Sequence, residues 1–187
     1  MGRRFAGAER HVSRPQKDIR RYAGLGRAGQ HAIYVVATNE RGEHDGSIRL
    51  LPSIRPHVLG NIFPELCDGP VPSGEHIFEL SRACLSPRNR AAHRLEVRNT
   101  VTTAVVEFAL LRGIRRFTCI ADSGWLSQIL SLGWDCRPLG LPREIAGLST
   151  GALVIEIDGD TPDKLRSAGT YVPMRIVDAH THGRAAA

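Results

Sequence analysis

The sequence predicts a single α/β domain layered on a mixed β-sheet. Three observations carry that expectation. β-branched runs of strand length interleave with segments of helical period, no internal repeat occurs, and no linker-like stretch divides residues 32–175. At 187 residues the chain is long enough to bury one substantial core. No apolar run approaches the roughly 18 residues that a membrane span needs. The basic start, "MGRRFAGAER", is not followed by the apolar core of a secretory signal. The cytoplasm is therefore the expected compartment.

Taken in chain order, each element follows from residue type. "AIYVVATN" (32–39) and "GSIRLLPS" (46–53) are extended segments, and "ERGEHDG" between them suits a hairpin connection. Pro52 and Pro56 stop the second strand. "HVLGNIFPEL" (57–66) predicts a short helix interrupted by Pro64. "CDGPVPSGE" is a turn-rich loop, and "HIFELSRACLSP" (76–87) is a third strand. The clearest helix is "NTVTTAVVEFALLRG" (99–113). There Val101, Ala104, Val105 and Phe108 form one apolar stripe and Gly113 is a C-terminal stop. "RFTCIAD" (116–122) is a strand and "SGWLSQILSLG" (123–133) an amphipathic helix. "DCRPLG" and "GALVIEID" (151–158) are late strands, and "TPDKLRS" is a short helix.

The net charge of +6 is unevenly spread. Residues 1–30 carry eight basic and two acidic side chains, which accounts for the whole excess; the remaining body is formally neutral. Phe5 and Tyr22 are the head's only aromatics, too few for base stacking, so no nucleic-acid partner is expected. The expected domain is one unit over 1–187, with a poorly ordered basic head at 1–30. Cys67, Cys84, Cys119 and Cys136 are too far apart for a C-x-x-C clip and read as reduced, buried small hydrophobes. "RIVDAHTHG" (175–183) holds an Asp-x-His-x-His pattern, but only four residues follow it, so no metal site is expected.

The chemistry concentrates in the third strand. Ile77, Phe78, Leu80 and Leu85 want a dry interior, yet Glu79 and Arg82 stand among them. Regular pleating puts Glu79 and Arg82 on opposite faces; a bulge would bring them to one side, and bulges cluster beside active sites. Arg49 poses the same question between Ile48 and Leu50. From the residues alone, a solvated edge, a structural ion pair and a substrate-binding pair all stay open.

These motifs resemble those of a known family. "GSIRLLPSIRPHVLGNIFPEL" resembles the Arg-Leu-Leu-Pro-Thr stretch of LuxI-type acyl-homoserine lactone synthases, the autoinducer synthases of quorum sensing. "FELSR" matches their Glu-x-Ser-Arg strand, and "GIRRFTCIADSGWLSQILSLGW" fits their next strand and helix. The similarity covers residues 32–172. It implies a GNAT-like three-layer sandwich with a mixed, splayed central sheet.

It also implies two substrates, S-adenosylmethionine and an acyl thioester on acyl carrier protein or coenzyme A, with no further cofactor, metal or membrane partner. The amine attacks the thioester. The methionine carboxylate then closes onto its own γ-carbon and expels methylthioadenosine. By the same correspondence Glu79 and Arg82 are catalytic, and Arg49, Glu79 and Arg82 bind S-adenosylmethionine. Phe63, Thr118 and Cys119 line the acyl pocket, and Arg112, Arg115 and Arg116 dock an acidic carrier. A corollary is that Glu79→Gln abolishes turnover with the fold intact.

The head departs from the pattern. Family acids expected near Ala23, Leu25 and Ala28 are missing, no tryptophan precedes Trp125, and Ala83 replaces a frequent aromatic. Two alternatives follow: an inactive member that keeps acyl or carrier binding, and a GNAT-like acyltransferase with another amine acceptor.

Overall fold

The structure is a computed structural model that describes residues 17–23 and 31–178, with 17–23 and 177–178 described by backbone alone. Its strands are β1 (Lys17–Ala23), β2 (Ile33–Thr38), β3 (His44–Pro52), β4 (Ile77–Leu85), β5 (Arg116–Asp122), β6 (Asp135–Pro138), β7 (Arg143–Ile145), β8 (Leu148–Glu156) and β9 (Met174–Asp178). Helices are α1 (Val58–Asn61), α2 (Ala91–Arg112), α3 (Ser123–Leu130) and α4 (Thr161–Ser167), with a 3-10 turn at Pro64–Leu66. One sheet runs in the order β6-β8-β5-β4-β3-β2-β1-β9, with β7 paired to β8. β4 with β5 and β1 with β9 are parallel, so the sheet is mixed as expected.

Side-chain alternation sorts the core onto two faces of this sheet. On one face Leu50, Leu80, Phe117, Cys119, Leu153 and Ile155 pack against α2, α3 and α4 in the larger cluster. On the other, Ile120 and Ala152 meet Leu59 of α1 and Leu66 of the 3-10 turn. Helix, sheet and helix make the three expected layers. The predicted stripe of Val101, Ala104, Val105 and Phe108 is buried throughout. Gly113 ends α2 at φ 67°, where its N–H donates to the carbonyls of Ala109 and Leu110. Gly46 lets α2 approach β3 closely, since a Cβ there would stand 2.7 Å from Val97 Cγ1.

Three strands were not expected, and each has a physical reason. β1 ("KDIRRYA") and β9 ("MRIVD") carry charges at strand positions, which hides their period; their pairing rests on backbone hydrogen bonds to β2 and to each other. β7 has three residues, too few for a pattern. α2 begins at Ala91, eight residues before the predicted start, because its first turns are charged and exposed. The rest of the head, and the histidines of "DAHTHG", lie outside the described residues. Among the described residues no helix is long and apolar enough to cross a membrane.

Candidate active site

The site grows from an irregularity in β4. Its register to β3 runs Cys84 opposite Ser47 but Ser81 opposite Arg49, so two steps on β3 face three on β4. The extra residue is a bulge at Arg82–Ala83, and Arg82 takes φ 50°. That left-handed conformation costs an arginine about 1–2 kcal/mol. β4 pairs with β5 only from Ile77–Arg116 to Leu80–Cys119. Beyond that point the parallel strands part, and backbone groups along the two inner edges are left without ladder partners. The opening lies between the bulge and Asp122.

On the α1 face, Glu79 is 1% exposed and stands opposite Leu51 on β3 and Thr118 on β5. Its carboxylate accepts the N–H of Val58 at 3.2 Å and of Leu59 at 2.7 Å. Those are orphan donors of the first helical turn, and α1 has no side-chain cap from His57. A carboxylate inside an apolar strand is thus satisfied by the positive end of α1. Arg49, also buried, donates Nε–H to Ser81 Oγ at 3.0 Å and has no carboxylate partner among the described residues.

Two buried polar atoms near Glu79 lack partners, Thr118 Oγ1 and His57 Nε2. His57 Nδ1 lies 2.8 Å from the carbonyl of Arg55, which can only accept, so Nδ1 carries the proton. In the neutral ring Nε2 is then an unsatisfied acceptor.

On the other face a cavity of about 420 Å³ opens at the bulge, within the range of small-molecule sites. Val101, Cys119, Leu132, Trp134 and Ile155 are its buried wall, while Arg82, Cys84 and Gln128 stand at its exposed rim. Asp122, at the end of β5, caps α3 by accepting from Gly124 N and Trp125 N, which fixes Trp125 in the lining. Burial pushes the Cys119 thiol up to about 12, with Cys136 and Glu79 adding to it. It stays protonated at neutral pH and serves as apolar surface.

The expected residues divide between these faces. Arg82 and Cys119 line the cavity; Arg49, Glu79, Phe63 and Thr118 do not. Arg49, Glu79 and Arg82, expected around one hollow, do not all line this cavity. Glu79 turns to α1, Arg82 rims the cavity, and Arg49 reaches it only through Ser81, which is itself a lining residue. The physical reason is pleating: the bulge follows Glu79 and re-aims only what comes after it. Phe63 packs with Leu59 and Leu66 on the α1 face, opposite the cavity.

Arg112, Arg115 and Arg116 are exposed at the start of β5, where Arg116 Nε donates to Glu156 at 2.8 Å. Of the four cysteines expected to be buried, only Cys119 is; Cys67 and Cys136 are half-buried and Cys84 is exposed. Ser81, Arg98, Thr102, Trp125 and Trp134 were missed. The signal for Arg98 and Thr102 was their i, i+4 spacing on one helix, outside the apolar stripe.

A family model described as autoinducer synthase matches residues 28–165. The chain belongs to the autoinducer synthase family. This synthase is 30% identical over 131 residues to the acyl-homoserine-lactone synthase of Acinetobacter nosocomialis, covering 66% of this chain and 72% of that one. It is 31% identical over 137 residues to the isovaleryl-homoserine lactone synthase of Bradyrhizobium diazoefficiens, covering 73% of this chain and 61% of the relative's length. A solved structure of the CoA-dependent acyl-homoserine lactone synthase BjaI with SAM and isopentyl-CoA superposes with a TM-score of 0.68. The identity is 28%, over 78% of this chain and 68% of that chain. The synthase is accordingly an acyltransferase-type enzyme on a GNAT-like fold.

Proposed function

We propose that the synthase joins an acyl thioester to S-adenosylmethionine and closes the product to an acyl-homoserine lactone in the cytoplasm. The observation that carries this reading is the parting of β4 and β5 at the bulge, which joins a largely apolar cavity to the buried Arg49–Ser81 pair. The acyl chain lies in the cavity with its thioester at the opening. The acceptor's carboxylate is held by Arg49, whose cation has no carboxylate partner among the described residues.

The amine nitrogen forms its bond to the acyl carbon as the carbon–sulfur bond of the thioester breaks, and the donor thiol leaves with the amine's proton. Inner-edge N–H groups of the parted strands stabilise the oxyanion, and Arg82 at the rim assists. The carboxylate oxygen then bonds to the γ-carbon while the γ-carbon–sulfonium bond breaks, releasing methylthioadenosine. Glu79, enclosed against α1, acts as a positioning residue. Four free cysteines suit a reducing cytoplasm.

The test is incubation with S-adenosylmethionine and either carrier-bound or CoA-bound acyl groups, reading methylthioadenosine and lactone. Both products together support the reading. Acyl consumption without methylthioadenosine points to another amine acceptor, and acyl binding without turnover to a non-catalytic member.

For the donor, the exposed arginines at the start of β5 suit an acidic carrier. They lie about 20 Å along the strand from Asp122 at ~3.3 Å per residue, a span a pantetheine arm can bridge. Arg112→Glu with Arg115→Glu is expected to raise KM for the carrier-bound donor about tenfold or more, and to leave KM for the CoA thioester much less changed. Equal effects on both donors would remove these residues from carrier docking.

A further inference from the structure

We propose that Cys84 is a self-acylation site: when no amine acceptor is bound, its thiol takes the acyl group from the donor thioester and keeps the chain in the cavity. This deepens the function proposed above and rests on it for the donor. The bulge in β4 sets Cys84 opposite Ser47 of β3, and both residues line the cavity. Cys84 Sγ lies 3.2 Å from Ser47 Oγ, which in turn lies 3.0 Å from His44 Nε2. The thiol also approaches the ring directly, at 3.9 Å. Strand pairing alone explains why Ser47 meets Cys84. It does not call for an imidazole at the end of the line or for a cavity in front of the sulfur. Thiol, hydroxyl and imidazole in hydrogen-bond sequence form an arrangement that activates a nucleophile. In the tautomer protonated at Nδ1, His44 Nε2 accepts from Ser47, and Ser47 Oγ accepts from Cys84. Arg88 Nη2 donates to the His44 carbonyl at 3.4 Å and ties the start of β3 to the β4–α2 connection.

Position separates Cys84 from the other three thiols. Burial pushes the Cys119 thiol up to about 12 and the Cys136 thiol up to about 11, and it raises that of Cys67. Those three stay protonated at neutral pH and are poor nucleophiles. Cys84 is exposed and directly follows the bulge, where the proposed donor presents its thioester. A chain seated in the apolar cavity carries its carbonyl to the rim at which this thiol stands.

The exchange balances without any further reagent. Cys84 Sγ bonds to the acyl carbonyl carbon as its proton passes through Ser47 to His44. The carbon–sulfur bond of the donor then breaks, and the departing thiolate takes the proton back from His44. One thioester replaces another, so free donor thiol reverses the step. While the chain is attached, it fills the cavity and keeps out a second donor.

The test is incubation of the full chain with octanoyl-CoA, without S-adenosylmethionine, followed by peptide mass spectrometry. The Cys84 peptide should gain one octanoyl group, at about tenfold or more above any other cysteine peptide, and neutral hydroxylamine should remove it. Cys84→Ser should carry no hydroxylamine-labile adduct. His44→Gln and Ser47→Ala should each slow the labelling by about tenfold or more, for want of a general base or of the relay to it. Acetyl-CoA leaves the cavity unfilled and should label about tenfold more slowly or less, which separates directed transfer from the chance reactivity of an exposed thiol.

An unmodified Cys84, an adduct spread evenly over the cysteines, or equal labelling by the two thioesters overturns the proposal. Labelling at the wild-type rate in both His44→Gln and Ser47→Ala does so too. Lactone formation by a chain whose Cys84 is never acylated would sink this site and keep the proposed function. Acylated Cys84 with neither methylthioadenosine nor lactone once S-adenosylmethionine is added would sink the proposed function and leave the site standing.

Discussion

Replacing Glu79 with glutamine is expected to lower stability by about 2–3 kcal/mol and to remove turnover with it. The buried carboxylate accepts two backbone N–H groups of α1, one on each oxygen. Glutamine keeps one acceptor and turns an NH₂ group toward the other donor, so two donors face each other at a buried position. The negative charge that suits the helix N-terminus is lost as well. α1 and the chain leading to it then loosen above the parted strands.

From the sequence the same substitution was expected to spare the fold. The difference arises because the partners of Glu79 are backbone groups, which no residue pattern announces. Urea unfolding together with methylthioadenosine release checks both halves. Wild-type stability with turnover lost would return Glu79 to direct chemistry. Wild-type activity would exclude it from both roles.

Much of the layered fold was legible because burial writes a period into a sequence. The stripe from Val101 to Phe108 and the stop at Gly113 follow from one buried helix face, and the apolar runs of β2, β5 and β8 follow from burial on both faces of the sheet. β1, β7 and β9 lack that signature. Two carry charged residues and one is short, and they hold their places through pairing that only the assembled sheet supplies.

The site divides in the same way. Its residue types were visible as charges set inside apolar strands, and the bulge could be anticipated from Glu79 and Arg82. Which face each side chain meets depends on where the extra residue falls, and a displacement of one position reverses the answer. That is why Arg82 reached the cavity while Glu79 did not.

Arg82→Gly is expected to give the opposite pattern to Glu79→Gln: stability kept or slightly raised, and activity lowered by about a hundredfold, or ~2.7 kcal/mol of transition-state stabilisation. At φ 50° the arginine backbone is strained, and glycine relieves that strain. The relief of about 1–2 kcal/mol is partly offset by the greater freedom of glycine in the unfolded chain, about 0.4–1 kcal/mol. The bulge that parts β4 from β5 would therefore survive, while the rim of the cavity loses its guanidinium.

Arg82→Lys restores a cation without the planar fork and should recover only part of the rate. Denaturant midpoints and initial rates of methylthioadenosine release on the three proteins provide the check. If glycine left the rate unchanged, strain at Arg82 would serve only the shape of the strand. A large fall in stability would mean that the arginine side chain, rather than the backbone bend, holds the bulge in place. A raised midpoint with a collapsed rate would show that the strained conformation is retained for the side chain it presents. That is the signature of a residue kept at the cost of stability for its chemistry.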